Sequence, residues 1–256
     1  MSSATLSAKQ AITAEEREKF ERDGYFVRKG LVKPELLAQI RTETEGLHER
    51  MHATPDPRAS IAWEKVKEGR PARIKQLMHS EAVCPGLNTL LHSNELLDVI
   101  EALIGPDISF FHSKLLMKAA LDGTVTPWHQ DFAYWKRGEN RPVQVNAMLG
   151  IDVQNRANGA IQFVPGTHKA GLSPHENSGN KYGSFGIHLP GYFHERPDAV
   201  LCEMDPGDIV FFGSLVIHGS DGNKADYDRR ANTMAFTTTG DDPAHSRKIM
   251  RGRGVK

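Results

Sequence analysis

The chain has 256 residues, enough for one large domain or two small ones around a sizeable buried core. Its 32 Lys+Arg balance its 32 Asp+Glu, so no net field draws it to nucleic acid or to an anionic membrane, and no stretch is long and apolar enough to span a bilayer. Its two cysteines, Cys84 and Cys202, cannot form a disulfide framework, which fits a reducing compartment and makes the cytoplasm the expected location.

The opening MSSATLSAKQ lacks the apolar core of a leader peptide. Thr13-Ala-Glu-Glu16 is a capping-box pattern, followed by a helical run that stops at Gly24. Tyr25-Phe26-Val27 reads as a short strand. Pro34 opens a second helix, in which Leu36, Leu37, Ile40, Leu47 and Met51 recur at helical spacing. Residues 52–60 read as loop, and Ser93 caps a third helix, ELLDVIEALI, that ends at Gly105-Pro106. His48, His52 and His92 fall in these helical or loop contexts and are expected on the surface.

From about residue 107 the texture changes to short runs rich in Val, Ile and Phe, separated by turn residues. ISFFHSKLLMKA, VQVNAMLGIDV, AIQFV, AVLCEM, IVFFGSLVIHG and ANTMAFTT alternate with Asn158-Gly159, Pro165-Gly166 and Pro206-Gly207-Asp208. Many short strands with such turns predict a sandwich or jelly roll. The expected fold is therefore mainly β with flanking helices. It is read as a single domain over 1–256, with a helical N-terminal part to about 106 and a β core over about 107–240. Residues 169–197 form a long, polar, glycine-rich segment, either a surface excursion or a lid over a ligand.

Chemistry concentrates in WHQDFAYW, residues 128–135. On a strand, His129 and Asp131 would point to one face, where they could form an ion pair or supply two ligands to a metal. Downstream, IVFFGSLVIHGSDGN places His218 at the end of an apolar strand. Two histidines and one carboxylate leave three octahedral positions open, the arrangement of non-haem Fe(II) oxygenases. Such chemistry needs electrons, and the chain has no flavin or dinucleotide fingerprint. A 2-oxo acid can supply them, and its far carboxylate then needs a bidentate anchor, for which Arg is suited. Asp228-Arg229-Arg230 follows His218 and opens the next strand, while Ser220 shares the strand face of His218.

As a set, H-Q-D at 129–131, N-G at 158–159 with P-G-T-H-K at 165–169, and H-G-S-x-x-N-K at 218–224 resemble the phytanoyl-CoA dioxygenase family of Fe(II)/2-oxoglutarate oxygenases. The resemblance covers roughly residues 105–240, with weaker support from E-R-D-G-Y-F-V near the N-terminus. It implies a double-stranded β-helix, a jelly-roll barrel with iron at its mouth. It implies His129, Asp131 and His218 as iron ligands, and Arg229 and Ser220 as ligands of 2-oxoglutarate. Gln130 matches as well and is placed against co-substrate or substrate. A looser alignment puts Lys114, Lys75 and Met148 beside the co-substrate.

The implied reaction consumes O2 and 2-oxoglutarate, releases succinate and CO2, and hydroxylates an unactivated C–H bond of a small molecule, with ascorbate supportive in vitro. Because Asp131 is retained, hydroxylation is expected rather than halogenation. The ending RGRGVK is no peroxisomal address, so a relative of the peroxisomal lipid enzyme is expected rather than that enzyme itself. Two other readings stand beside this one: a non-oxidative cupin-type metalloenzyme, and a catalytically silent jelly-roll binding protein. Of the remaining residues, His112 reads either as pocket lining or as a core histidine. Thr167-His168 is expected to fix its turn, and Asn223 to hold the loop after His218. Phe132, Tyr134 and Trp135 are candidates for a pocket wall.

Overall fold

In this computed structural model, residues 11–64, 69, 71–121, 123–134, 144–179, 186–191, 194–238 and 247–248 are described. The capping box forms: Thr13 Oγ1 accepts from the Glu16 amide at 3.1 Å, and the Glu16 carboxylate accepts from the Thr13 amide at 2.8 Å. That starts α1 (Ala14–Asp23), which ends at Gly24 in a left-handed conformation with φ 89°. There follow β1 (Tyr25–Arg28), α2 (Pro34–Thr44), α3 (Leu47–Ala53), β2 (Ser60–Trp63), β3 (Ile74–Met78), α4 (Ser80–Val83), α5 (Pro85–Leu91) and α6 (Asn94–Ile104). The second half carries β4 (Ile108–Lys118), β5 (Thr126–His129), β6 (Gln144–Gly150), β7 (Ile161–Val164), β8 (Glu176–Asn177), β9 (Ile187–His188) and β10 (Val200–Leu201). The last described strands are β11 (Ile209–Gly213), β12 (Ile217–Ser220), β13 (Arg229–Thr238) and β14 (Arg247–Lys248).

Two antiparallel sheets face each other. The larger runs β1-β11-β6-β13-β4-β3-β2, with β14 added on β4, and the smaller runs β10-β7-β12-β5. Their inner faces meet through Met148, Val210, Phe212 and Ala231 on one side and Ile161, Phe163, Cys202 and Met204 on the other. The outer face of the large sheet takes the alternate residues. Val145, Ala147 and Leu149 of β6 join Phe211 and Phe236 under a helical layer that includes Ile40, Leu87, Leu90, Leu96 and Ile100. β6 is therefore buried along its whole length, as a strand covered on both faces should be. This is the expected jelly-roll barrel, mainly β with flanking helices.

Three expectations need correction. The amphipathic run from Pro34 is two helices, because Gly46 sits at φ 61° and breaks the first before Leu47 starts the second. The part before residue 106 is not only helical: β1 pairs with β11 and β3 with β4, so the N-terminal region extends both sides of the large sheet. IVFFGSLVIHG is not one strand either. It turns after Gly213, where the Val216 amide donates to the Gly213 carbonyl at 3.2 Å, and crosses from the large sheet to the small one. No helix among the described residues is long and apolar enough to cross a membrane.

His48 also differs from expectation. His52 and His92 are exposed, but His48 is buried, and its Nδ1 accepts from the Ile74 amide at 2.8 Å, fixing the start of β3. Burial, reinforced by the Arg73 guanidinium, pushes its pKa down to about 4. A histidine held neutral in the fold stabilises it fully above about pH 6.5, and that stability is lost as pH falls through about 4. We expect His48→Gln to remove part of the acid sensitivity in this window. The difference should be on the order of 2–3 kcal/mol between neutral pH and the bottom of the window, read from urea midpoints of variant and parent at the two pH values.

Candidate active site

The centre of the site is a cross-strand pair. β12 lies antiparallel to β5 with His218 directly opposite His129, their ring centroids 4.2 Å apart. Gly219 permits the approach, because a Cβ there would lie 2.9 Å from the Trp128 ring. Each imidazole is fixed by its inner nitrogen: Nδ1 of His129 lies 2.8 Å from the Pro127 carbonyl, and Nδ1 of His218 lies 3.0 Å from the Val216 carbonyl. A carbonyl only accepts, so each Nδ1 carries a proton, and in a neutral ring the lone pair is then on Nε2. Asp131 is not on β5, which ends at His129. The extended residue Gln130 carries the chain over, and Asp131 opens a single 3₁₀ turn closed by the Tyr134 amide on the Asp131 carbonyl at 2.9 Å.

The expected convergence survives this change of backbone. Asp131 Oδ1 lies 3.6 Å from His129 Nε2, and Oδ2 lies 3.8 Å from His218 Nε2. The three residues, all buried, offer ligand atoms within 4.8 Å of one another. Burial raises the Asp131 carboxyl, but Lys114 and the two imidazoles outweigh it and hold the group well below the usual carboxylate range. Burial, together with His129, pushes His218 down to about 4. At neutral pH the cluster is thus one carboxylate with a neutral imidazole lone pair from His218 beside it, a donor set suited to a divalent transition metal.

Arg229 opens β13 opposite Lys118, on the inner face and 3% exposed. Its Nη2 donates to the Gly159 carbonyl at 2.5 Å and its Nε to the Asn158 carbonyl at 3.5 Å. The N-G turn is therefore the bracket that aims the arginine. Asn158 accepts from the Asn155 amide at 2.9 Å, and Gly159 adopts φ 73°. Burial lowers the Arg229 pKa to about 10, which leaves it cationic at neutral pH. Arg230 points to the other face, where it grips Asp152 with two donors at 2.8 Å.

One cavity, open to solvent at its mouth, joins these elements. His129, Asp131, His218, Ser220, Arg229, Lys75, Lys114 and Met148 all line it, so eight of the nine residues singled out in the sequence come together. Gln130 does not line it. Its amide donates to the Gly171 and Leu215 carbonyls at 2.8 and 2.6 Å and accepts from the Ser173 amide at 2.8 Å, so it ties down the loop behind the cluster instead. Sequence reading missed Glu64, Lys118, Thr126 and Thr233, which reach the cavity through sheet register. Lys118 is buried, and its Nζ donates to the Thr124 and Asp221 carbonyls at 2.6 and 2.7 Å. Its ammonium pKa is pushed well down by burial and by Arg229.

The surroundings are ordered in the same way. Thr167 Oγ1 donates to the Val164 carbonyl and accepts from the Ile217 amide, fixing the turn beside β12. Asn223 donates to the Lys118 and Tyr227 carbonyls and so holds the loop after His218. His112 is buried on β4, with burial and Lys114 pushing its pKa down. Phe132 is buried beside the cluster, and the Tyr134 ring meets His129 edge-on at 5.8 Å. Trp135 lies outside the described residues, as do 180–185 and 192–193 of the 169–197 segment. What is described of that segment is docked: β8 pairs with β9, the Leu189 amide donates to the Trp128 carbonyl at 2.8 Å, and Trp128 Nε1 donates to the His194 carbonyl at 2.8 Å. Tyr134 and Ile187 exchange hydrogen bonds through the phenol.

A jelly-roll barrel with two imidazoles and a carboxylate converging inside it defines the class of non-haem metal oxygenases and their cupin-like relatives. The chain belongs to the Phytanoyl-CoA dioxygenase (PhyH) family, whose sequence pattern matches residues 20–231, and so it is an enzyme of the dioxygenase class. It is 31% identical over 237 residues to the "Probable phytanoyl-CoA dioxygenase" of Caenorhabditis elegans, covering 86% of this chain and 73% of that one. It is 23% identical over 240 residues to the ectoine dioxygenase of Bordetella parapertussis, covering 89% and 76%. Among solved structures, EctD from S. alaskensis with 2-oxoglutarate and 5-hydroxyectoine superimposes with a TM-score of 0.71 at 22% identity, over 89% of this chain and 77% of that one. That last likeness speaks for the fold.

The bracket on Arg229 generates a test. A Cβ on Gly159 would lie 2.4 Å from the Asp221 carbonyl oxygen, at a φ that favours glycine. We expect Gly159→Ala to destabilise the protein by about 1–3 kcal/mol in chemical denaturation and to displace the carbonyl that holds Arg229. A variant as stable as the parent would show that the turn relaxes freely.

Proposed function

We propose that the protein is an Fe(II)- and 2-oxoglutarate-dependent dioxygenase that hydroxylates an unactivated C–H bond of a small molecule, with succinate and CO2 as co-products. The observation that carries this reading is the placement of a buried arginine, Arg229, in the same cavity as the His129–Asp131–His218 cluster. A metalloenzyme without an anionic co-substrate has no use for a guanidinium buried there. Iron, once bound, supplies a centre at which O2 and the 2-oxo acid react together.

The chain's own residues divide the remaining work. His129, Asp131 and His218 hold the metal and leave the other positions open. Arg229 grips the far carboxylate of 2-oxoglutarate through two charge-assisted hydrogen bonds, and Ser220, on the same face two residues after His218, adds a hydroxyl. Lys75, Lys114 and Met148 line the wall beside them. Phe212, Ile161 and Leu116 make part of the lining apolar, which limits bulk water around the reacting bond. The docked hairpin β8–β9 supports reading 169–197 as a cover over the mouth. The relatives are named for phytanoyl-CoA and for ectoine, which supports a small-molecule substrate here and leaves its identity to screening.

The direct test is succinate formation from 2-oxoglutarate with Fe(II), O2 and ascorbate, across a metabolite library. Stimulated turnover is expected with one compound class, and His218→Ala should abolish it together with iron binding. Fe(II)-dependent turnover that persists in His218→Ala would remove the cluster from the reaction. Arg229→Ala strands a buried carboxylate, a loss on the order of 3–5 kcal/mol, or roughly two to four orders of magnitude in 2-oxoglutarate affinity. Lysine at 229 should restore only part of it, because a point charge does not reproduce the fork. Arg230→Ala, facing Asp152, should leave that affinity nearly unchanged, and equal losses in both alanine variants would contradict the assigned faces.

A further inference from the structure

Asp131 has a partner on the large sheet that no motif announces. Asn146 lies in the middle of β6, fully buried, and its Nδ2 donates to Asp131 Oδ2 at 2.9 Å. The register places it there: Asn146 opposes Phe212 of β11 on one side and Ala235 of β13 on the other, and the alternation of β6 turns it, with Gln144 and Met148, to the inner face. The carboxylate only accepts, so the amide must present its nitrogen, which fixes the assignment of oxygen and nitrogen on chemical grounds. The consequence is that Asn146 Oδ1 is buried with no hydrogen-bond partner among the described residues. An orphaned buried acceptor costs free energy, and rotating the amide to relieve it would set oxygen against carboxylate.

We infer that Asn146 is a positioning residue for the metal centre, holding Oδ2 of Asp131 so that Oδ1 is the oxygen left to the metal. This rests on the reading of His129, Asp131 and His218 as the metal ligands. Asp131 opens a 3₁₀ turn beyond the strand's end rather than standing on the strand, so strand alternation does not fix the orientation of its carboxylate. The two imidazoles are each fixed through Nδ1 by a carbonyl of the neighbouring backbone. Asp131 receives the corresponding restraint from across the barrel, through Asn146. The amide thereby couples the small sheet, which carries the histidines, to the large sheet, which carries Arg229. A hydrogen bond to the non-ligating oxygen also keeps a single carboxylate oxygen for the metal and leaves room at the remaining positions.

The test measures Fe(II) dissociation constants, by chelator competition without oxygen, for the parent, Asn146→Leu, Asn146→Ala and His218→Ala. Leucine keeps the branched shape and removes the donor, and alanine serves if leucine prevents folding. Fe(II) affinity should fall about 10–100-fold in the Asn146 variants, the range for lost partners of metal ligands. The 2-oxoglutarate affinity at saturating metal should stay near that of the parent. Parent-like Fe(II) affinity in the folded Asn146 variant, with metal lost in His218→Ala, overturns this inference alone. Parent-like affinity in His218→Ala as well would overturn the metal-site reading beneath it.

Discussion

The site depends on the register in which β12 lies against β5. With His218 opposite His129, two imidazoles 89 residues apart in sequence (218 − 129) face one point. The register is itself secured by close packing. Gly219 lies against the Trp128 ring and Phe163 sits opposite His218 on β7, so a shift of β12 by one residue would drive a side chain into the indole and turn His218 outward. Backbone carbonyls then set the tautomer of each ring. The two imidazoles are thus oriented by main-chain geometry.

The second half of the site is organised by the same device on the facing sheet. Arg229 is held by the carbonyls of a turn that Gly159 alone can shape, and that turn packs against the Asp221–Gly222 backbone just after β12. Asn158, Gly159, Asp221 and Asn223 therefore form one bracket, and Lys118 fastens it by donating to the Asp221 carbonyl. Among the described residues no carboxylate lies in hydrogen-bond range of the buried arginine, whose partners are carbonyls, while its neighbour Arg230 is engaged by Asp152. A guanidinium kept in that condition supports the anion site proposed for it.

Much of this was legible in the sequence, and the reasons are specific. H-x-D, H-G-S and the arginine after it are local patterns whose spacing survives folding, and N-G marks a turn whatever surrounds it. Asn146, Glu64, Thr233 and Lys118 carry no such mark, since they enter the site through cross-strand pairing that a single sequence does not display. Gln130 misled because it sits between two functional residues, while strand alternation sends its side chain the other way. The break at Gly46 lay inside an unbroken apolar period, and IVFFGSLVIHG concealed its turn because Leu215 and Val216 are themselves strand-forming residues. His48 looked like a surface histidine on a polar helix, and only the arrival of β3 buries it.

The central claim is that one barrel cavity holds a metal at His129, Asp131 and His218 and a 2-oxo dicarboxylate at Arg229, so that each strengthens the other's binding. Titration of 2-oxoglutarate by calorimetry under anaerobic conditions, with metal-free and Fe(II)-loaded protein, tests it most directly. The account predicts much tighter binding to the loaded protein and a large loss in Arg229→Ala. Affinity unchanged by the metal, or unaffected by removal of the arginine, would contradict it.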